Sequence, residues 1–222
     1  MIVWLHAFPL DGRMWGSRDG LVVPSLYELG DDVDVWAERV LAQVDGDCAA
    51  VGVSMGGYAA LALARRAPER VRALVLVGAR ADADSPERRA ARGDMLELID
   101  REGTDAVWRE MHARLFGADA PAEAVEHARA ITMEQAPEDL ANGVRAMRDR
   151  RDATDVVRSF GGRLLVCVGE HDPFLPVDDA RAVADAAPDG RVEVFAGAGH
   201  LPVLEQPERF DAVVAEYVAP WR

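Results

Sequence analysis

The chain has 222 residues, half of them hydrophobic, with 39 acidic against 25 basic side chains and a formal net charge of −14. That size suits a single domain with a sizeable core, and so acidic a surface repels nucleic acid and anionic lipid. Every basic residue is an arginine, which excludes both a Schiff-base lysine and the lysine of a Walker A phosphate loop.

No apolar run reaches the roughly 18 residues needed to span a membrane. The apolar start MIVWLHAF is short and has no basic leader, so it reads as a first strand rather than a signal peptide. Residues 2–5 predict that strand, which runs into His6-Ala7-Phe8-Pro9-Leu10-Asp11. A short helix is expected over 14–17 and a brief strand over 21–23, ended by Pro24. Asp31 and Asp32 offer helix N-caps, and Val33, Trp36, Val40, Leu41 and Val44 recur at helical spacing before Gly46. Residues 49–53 read as a strand and 57–66 as a helix of small residues. Residues 71–77 form a nearly continuous apolar run, the mark of a strand covered on both faces.

From 82 to 152 the pattern is helical. Ser85-Pro86 caps a helix that runs to Gly103, with Met95, Leu96, Leu98 and Ile99 as its apolar side. Thr104 caps a second helix, stopped by Gly117. Asp119 and Pro121 open a third, and Pro137 a fourth. We expect this insertion to cap a site built on the remaining core, 1–81 and 153–222. Strand and helix alternate again from Arg163: a strand over 164–168, a helix over 177–187, a last strand over 192–195, and a closing helix from Pro207.

Gly52-Val53-Ser54-Met55-Gly56 lies between the predicted strand and helix, the spacing of a nucleophile elbow. In so tight a turn, side chains at 52 or 56 would collide, and Ser54 should adopt a strained backbone that lifts its hydroxyl clear of the sheet. Alternating strands and helices call for a parallel sheet with helices on both faces. Working loops then leave the carboxyl ends of the strands. Two further loops of that kind carry Asp172 and His200, giving the chain order Ser, Asp, His. A serine hydroxyl needs a base to take its proton during attack. His200 can serve, with Asp172 holding its tautomer. Asp178 and Asp179 are rival carboxylates. His171, His112 and His127 are expected to face solvent, and His6 to brace its loop.

Four stretches together, His6-Ala7-Phe8-Pro9, Gly52 to Gly57, Gly169-Glu170-His171-Asp172 and Gly197-Ala198-Gly199-His200-Leu201-Pro202, resemble the cap-bearing branch of the α/β-hydrolase superfamily. That branch includes single-domain serine esterases, enol-lactonases and cofactor-free haloperoxidases. The tail Glu205-Gln206-Pro207-Glu208 also fits. The resemblance implies an α/β fold: a doubly wound, mostly parallel sheet of about six strands, without the family's first two strands, carrying a helical cap. It implies catalytic Ser54, Asp172 and His200, with Asp82 as another candidate for the acid. With the first strand beside the elbow strand, the backbone N–H groups of Phe8 and Met55 would form the oxyanion hole. Cys48 and Cys167 would be too far apart for a disulfide and read as reduced core thiols, which fits a cytoplasmic protein.

No cofactor and no metal are implied. The expected partner is a small-molecule ester, thioester or lactone, handled by a monomer or homodimer. Trp15, Trp108 and Leu201 are candidates for lining the pocket, with core packing as the alternative. The chain departs from the family's pattern at His6-Ala7, where His-Gly is usual, so no relative's substrate is carried over. Other reactions remain open: C–C bond hydrolysis, lyase chemistry, acyl transfer, or ligand reception without turnover.

Overall fold

The computed structural model describes residues 1–221. The strands are β1 (Ile2–Leu5), β2 (Leu21–Val22), β3 (Cys48–Val53), β4 (Val71–Val77), β5 (Arg163–Gly169) and β6 (Gly190–Phe195). The helices are α1 (Val33–Leu41), α2 (Met55–Arg66), α3 (Pro86–Glu102), α4 (Thr104–Leu115), α5 (Ala122–Met133), α6 (Pro137–Asp149), α7 (Thr154–Ser159), α8 (Val177–Asp185), α9 (Pro202–Glu205) and α10 (Pro207–Val218).

The six strands form one sheet in the order β2-β1-β3-β4-β5-β6, and every neighbouring pair is parallel. This is the open, doubly wound sheet expected, parallel throughout rather than mostly so. The reason lies in the central strands. Every residue of β3 is buried, as is every residue of β4 except Arg72, so both faces need covering by helices. From β3 the chain proceeds outward to β4, whereas β1 and β2 lie on its other side. The strand order therefore reverses at β1 and β3, which places a crevice at their carboxyl ends.

Helix α2 shows how composition serves packing. Met55 through Ala64 are all buried, and most of them are glycine or alanine. Small side chains let the helix lie close to the sheet. At its start the approach leaves no room at all. A Cβ on Gly56 would overlap the Leu5 carbonyl oxygen, and one on Gly52 would overlap the Gly56 carbonyl. Both positions must be bare, as the spacing predicts.

Several local expectations are corrected. The helix expected at 14–17 is a 3-10 turn over Gly12–Trp15, because the Asp11 side chain accepts from Arg13 N and starts it earlier. Thr104 is the first helical residue of α4 rather than its cap. Gly103, at φ 71°, takes the cap position, and the Thr104 hydroxyl donates to Gln135 O across to the end of α5. On α3 only Ile99 is fully buried, while Met95, Leu96 and Leu98 are half-buried. Helices α7 and α9 are too short to show a hydrophobic period. Cys48 and Cys167 are free and buried on strands separated by β4. Among the described residues, no helix is long and apolar enough to cross a membrane.

The backbone contact at Gly56 yields a stability test. Gly56→Ala must push α2 off the end of β1 and should cost about 2–3 kcal/mol, as overpacking does. Urea unfolding of the variant should show that loss as a lower midpoint.

Candidate active site

Ser54 sits between β3 and α2 with φ 52° and ψ −110°. Among the described residues it is the one non-glycine with positive φ. A β-carbon in that region costs of order 1–3 kcal/mol and persists only where surroundings enforce it. Here they do: Ser54 N donates to Val77 O at 2.7 Å, while Ser54 O accepts from Gly57 N and Tyr58 N. The hydroxyl itself makes no hydrogen bond among the described residues.

His200 and Asp172 come together from the loops after β6 and β5. Asp172 Oδ2 lies 2.7 Å from His200 Nδ1, and the two residues are 6 % and 2 % exposed. The other carboxylate oxygen accepts from Phe174 N at 2.8 Å and Leu175 N at 3.2 Å. A carboxylate so committed can only accept from the ring, so Nδ1 carries the proton and Nε2 is left as a base. The rival carboxylates are engaged elsewhere: Asp179 with Arg80, Asp82 with Arg80 and Arg88, and Asp178 with Arg181. Ser54 and His200 line the same small cavity of about 60 Å³, together with Phe8, Tyr58, Met111, Met147 and Phe174. A larger depression beside Asp11, Arg13 and Glu134 contains none of these groups.

Phe8, in the loop after β1, and Met55, at the first turn of α2, are both buried. Neither backbone N–H has an acceptor among the described residues. Buried unpaired N–H groups are rare and costly. Two of them, at the mouths of neighbouring strands and beside Ser54, leave donors available to an anion at a helix start.

The expected lining residues fall elsewhere. Trp15 is fully buried, with its ring centroid 5.0 Å from that of Trp4 and 6.3 Å from that of Phe210. Trp108 stacks on His112 at 5.6 Å. Leu201 is buried, with its N–H on Leu115 O. All three pack in the core, and the cavity wall comes instead from α2, α3, α4 and α6 and from the loops that follow β1, β4, β5 and β6. His171, His112 and His127 are exposed as expected.

Three features escaped the reading of the sequence. Gly78, at φ 58°, abuts the His–Asp pair. A Cβ there would stand 2.7 Å from His200 Cε1 and 2.9 Å from Asp172 Oδ2. Glu205 is buried and accepts from Gly199 N at 3.0 Å and from Gly117 N at 2.8 Å. It thereby ties the His200 loop to the end of α4, where Leu115 O also accepts from His200 N. Arg80, Arg88 and Arg92 line the cavity. The four-residue spacing of Asp84, Arg88 and Arg92 was the available signal for that wall.

His6 is fully buried. Its Nε2 accepts from Leu26 N at 2.7 Å, so Nδ1 bears the proton and donates to Ala7 O at 3.1 Å. It braces the loop that carries Phe8. Burial pushes its pKa down to about 4, against the opposing pull of the Ala7 carbonyl. Among the described residues, no group of three or more His, Cys, Asp or Glu side chains is arranged to hold a metal ion.

Comparison with known proteins gives a consistent result. The model of a family described as the alpha/beta hydrolase family matches residues 2–213. The chain is 30% identical over 246 residues to a pimeloyl-[acyl-carrier protein] methyl ester esterase from Aromatoleum aromaticum, covering 98% of this chain and 97% of that one. It is also 30% identical to a 2-hydroxy-6-oxononadienedioate/2-hydroxy-6-oxononatrienedioate hydrolase from Paraburkholderia xenovorans, covering 92% of this chain and 70% of the relative. Among solved structures, a thermophilic esterase from Thermogutta terrifontis superposes with a TM-score of 0.86 at 30% identity, covering 99% of this chain and 89% of that one.

The buried His6 predicts a pH dependence of stability. Between pH 6.5 and 4 the unfolded chain binds a proton that the folded one refuses. Stability from this residue is therefore complete above 6.5 and is lost as the pH falls toward 4, by about 3 kcal/mol. In urea titrations, the stability advantage of the native protein over His6→Gln should shrink by that amount between pH 7 and pH 4.

Proposed function

This chain belongs to the alpha/beta hydrolase family and is a hydrolase, and from that premise we propose that it is a serine hydrolase of carboxylic esters, thioesters or lactones. One observation carries the reading. A serine held in a strained turn opens into the cavity of a histidine whose far nitrogen is fixed by a buried carboxylate.

In this reading Ser54 Oγ attacks the substrate carbonyl carbon and its proton passes to His200 Nε2. Asp172 holds the ring and stabilises the imidazolium. The negative charge that develops on the carbonyl oxygen is met by the Phe8 and Met55 N–H groups, whose lack of protein partners supports this role. Collapse breaks the bond to the leaving group, which takes the proton from His200. Water then attacks the acyl-enzyme by the same route and releases the acid.

The helices over 82–152 would act as the cap, on a core of 1–81 and 153–222. Met111 of α4 and Met147 of α6 in the cavity wall support that role. The esterase relative from Aromatoleum aromaticum favours an ester as substrate. C–C bond hydrolysis in the same pocket is the second reading, and the Paraburkholderia xenovorans relative favours it. A cytoplasmic setting accords with the two buried free thiols.

Ser54→Ala should lower kcat for ester hydrolysis by about 10⁴–10⁶-fold, and a fluorophosphonate should label the native protein at Ser54 alone. Turnover by the variant close to the native rate would refute the mechanism. The small cavity should also favour short acyl chains. Across p-nitrophenyl esters from acetate to octanoate, kcat/KM should fall by about tenfold or more.

A further inference from the structure

One wall of the Ser54 cavity is cationic in a protein whose net charge is −14. Arg80 follows β4, and Arg88 and Arg92 lie one turn apart on α3. Arg80 bonds Asp82 at 2.9 Å and Asp179 at 2.8 Å. Arg88 pairs with Asp82 and lies 3.3 Å from Asp84. Arg92 reaches Asp84 at 3.3 Å, and the buried Arg150 reaches it at 2.7 Å. No other ion pair among the described residues joins this network. Four guanidinium groups thus face three carboxylates, which leaves one positive charge in excess.

The network is also unsaturated, at one carboxylate oxygen, the buried Asp84 Oδ1, and at more than one guanidinium nitrogen. Arg92 meets the protein only through Nε, so both of its terminal nitrogens lack acceptors among the described residues. Arg88 Nε is buried and makes no hydrogen bond, its approach to Asp84 being misaligned. Arg114, stacked 4.3 Å over Phe174, adds a further cation beside the ring that packs on His200. A buried guanidinium nitrogen without a partner, as at Arg88 Nε, costs free energy unless an acceptor meets it, while the terminal nitrogens of Arg92, whose side chain is 25% exposed, stay open to a ligand. A planar fork with two free nitrogens matches a carboxylate in bidentate fashion, and a surplus of one unit matches a single negative charge.

We propose that the cavity selects substrates whose acyl part ends in a second, ionised carboxylate, held by Arg92 and Arg88 while the scissile carbonyl meets Ser54. The substrate class is a half-ester of a short dicarboxylic acid. This rests on the serine hydrolase reading, which it narrows.

The test has a kinetic and a binding arm. The monomethyl esters of succinic, glutaric and adipic acid are compared with the uncharged methyl esters of butyric, valeric and hexanoic acid. The native protein should prefer the charged member of a pair by about 10–100-fold in kcat/KM, the equivalent of one charge-assisted hydrogen bond. In Arg92→Gln, with folding checked by its melting temperature, that preference should drop by about tenfold, mainly through KM. Arg92→Lys should restore only part of it. Separately, calorimetry with glutarate on the Ser54→Ala protein should show saturable binding that Arg92→Gln abolishes and that glutaramide does not reproduce.

Equal rates for charged and uncharged esters, or a preference that survives Arg92→Gln, would overturn the proposal. So would inorganic phosphate binding as tightly as glutarate, because a dianion would then be the fitting ligand. Arg92-dependent glutarate binding without hydrolysis of any ester would keep the carboxylate subsite and remove the hydrolase reading beneath it.

Discussion

The carbonyl of Leu5 lies so close to the first turn of α2 at Gly56 that a Cβ there would overlap it. This contact joins the two strands at which the order of the sheet reverses. Because no side chain intervenes, the loop after β1 and the start of α2 are held as one piece. The unpaired N–H groups of Phe8 and Met55 therefore share a rigid frame with Ser54. The strain at Ser54 is sustained by the same frame: its N–H is bound to β4, and its carbonyl to the next turn of α2. Rigid placement of donors is what gives electrostatic stabilisation its effect, since nothing must reorganise during reaction.

The opposite half of the proposed site is built differently. His200 and Asp172 come from loops, and loops need anchors. Leu115 O takes both the His200 and Leu201 N–H groups, and Glu205 bridges Gly199 to Gly117. Each anchor lies at the end of α4, within the helical segment inserted between β4 and β5. The imidazole is thus positioned partly by the insertion, not by the sheet alone. Gly78 completes the arrangement by leaving space beside the ring at a backbone angle suited to glycine.

Charge follows the same division between global and local. The surface is strongly acidic, which favours solubility. Around the cavity, arginines outnumber the carboxylates they pair with. Burial alone would push the Asp82 carboxyl up, but hydrogen bonds from Arg88 and Arg80 outweigh it and hold it below its ordinary range. Asp82 therefore stays ionised as a fixed partner of Arg80 and Arg88.

Much of this was legible along the chain because it depends on local chemistry. Gly52, Ser54 and Gly56 announce a tight turn, since glycine is required wherever backbones touch. Apolar runs mark β3, β4 and β5, since a strand buried on both faces carries no polar alternation. The order Ser54, Asp172, His200 and the stretches around them sufficed to indicate the family. Helices α7 and α9 stayed hidden because fewer than two turns show no period. Which carboxylate meets His200 was a choice among four aspartates that only distance could make, because loops from different strands approach in space and not in sequence. Trp15, Trp108 and Leu201 looked suited to a pocket by type, yet packing put them in the core. The arginine wall, the Glu205 bridge and the bare position at Gly78 arise where segments remote in the chain are folded against one another. Composition and pattern determined the sheet and the reactive turn, while tertiary contact decided what surrounds them.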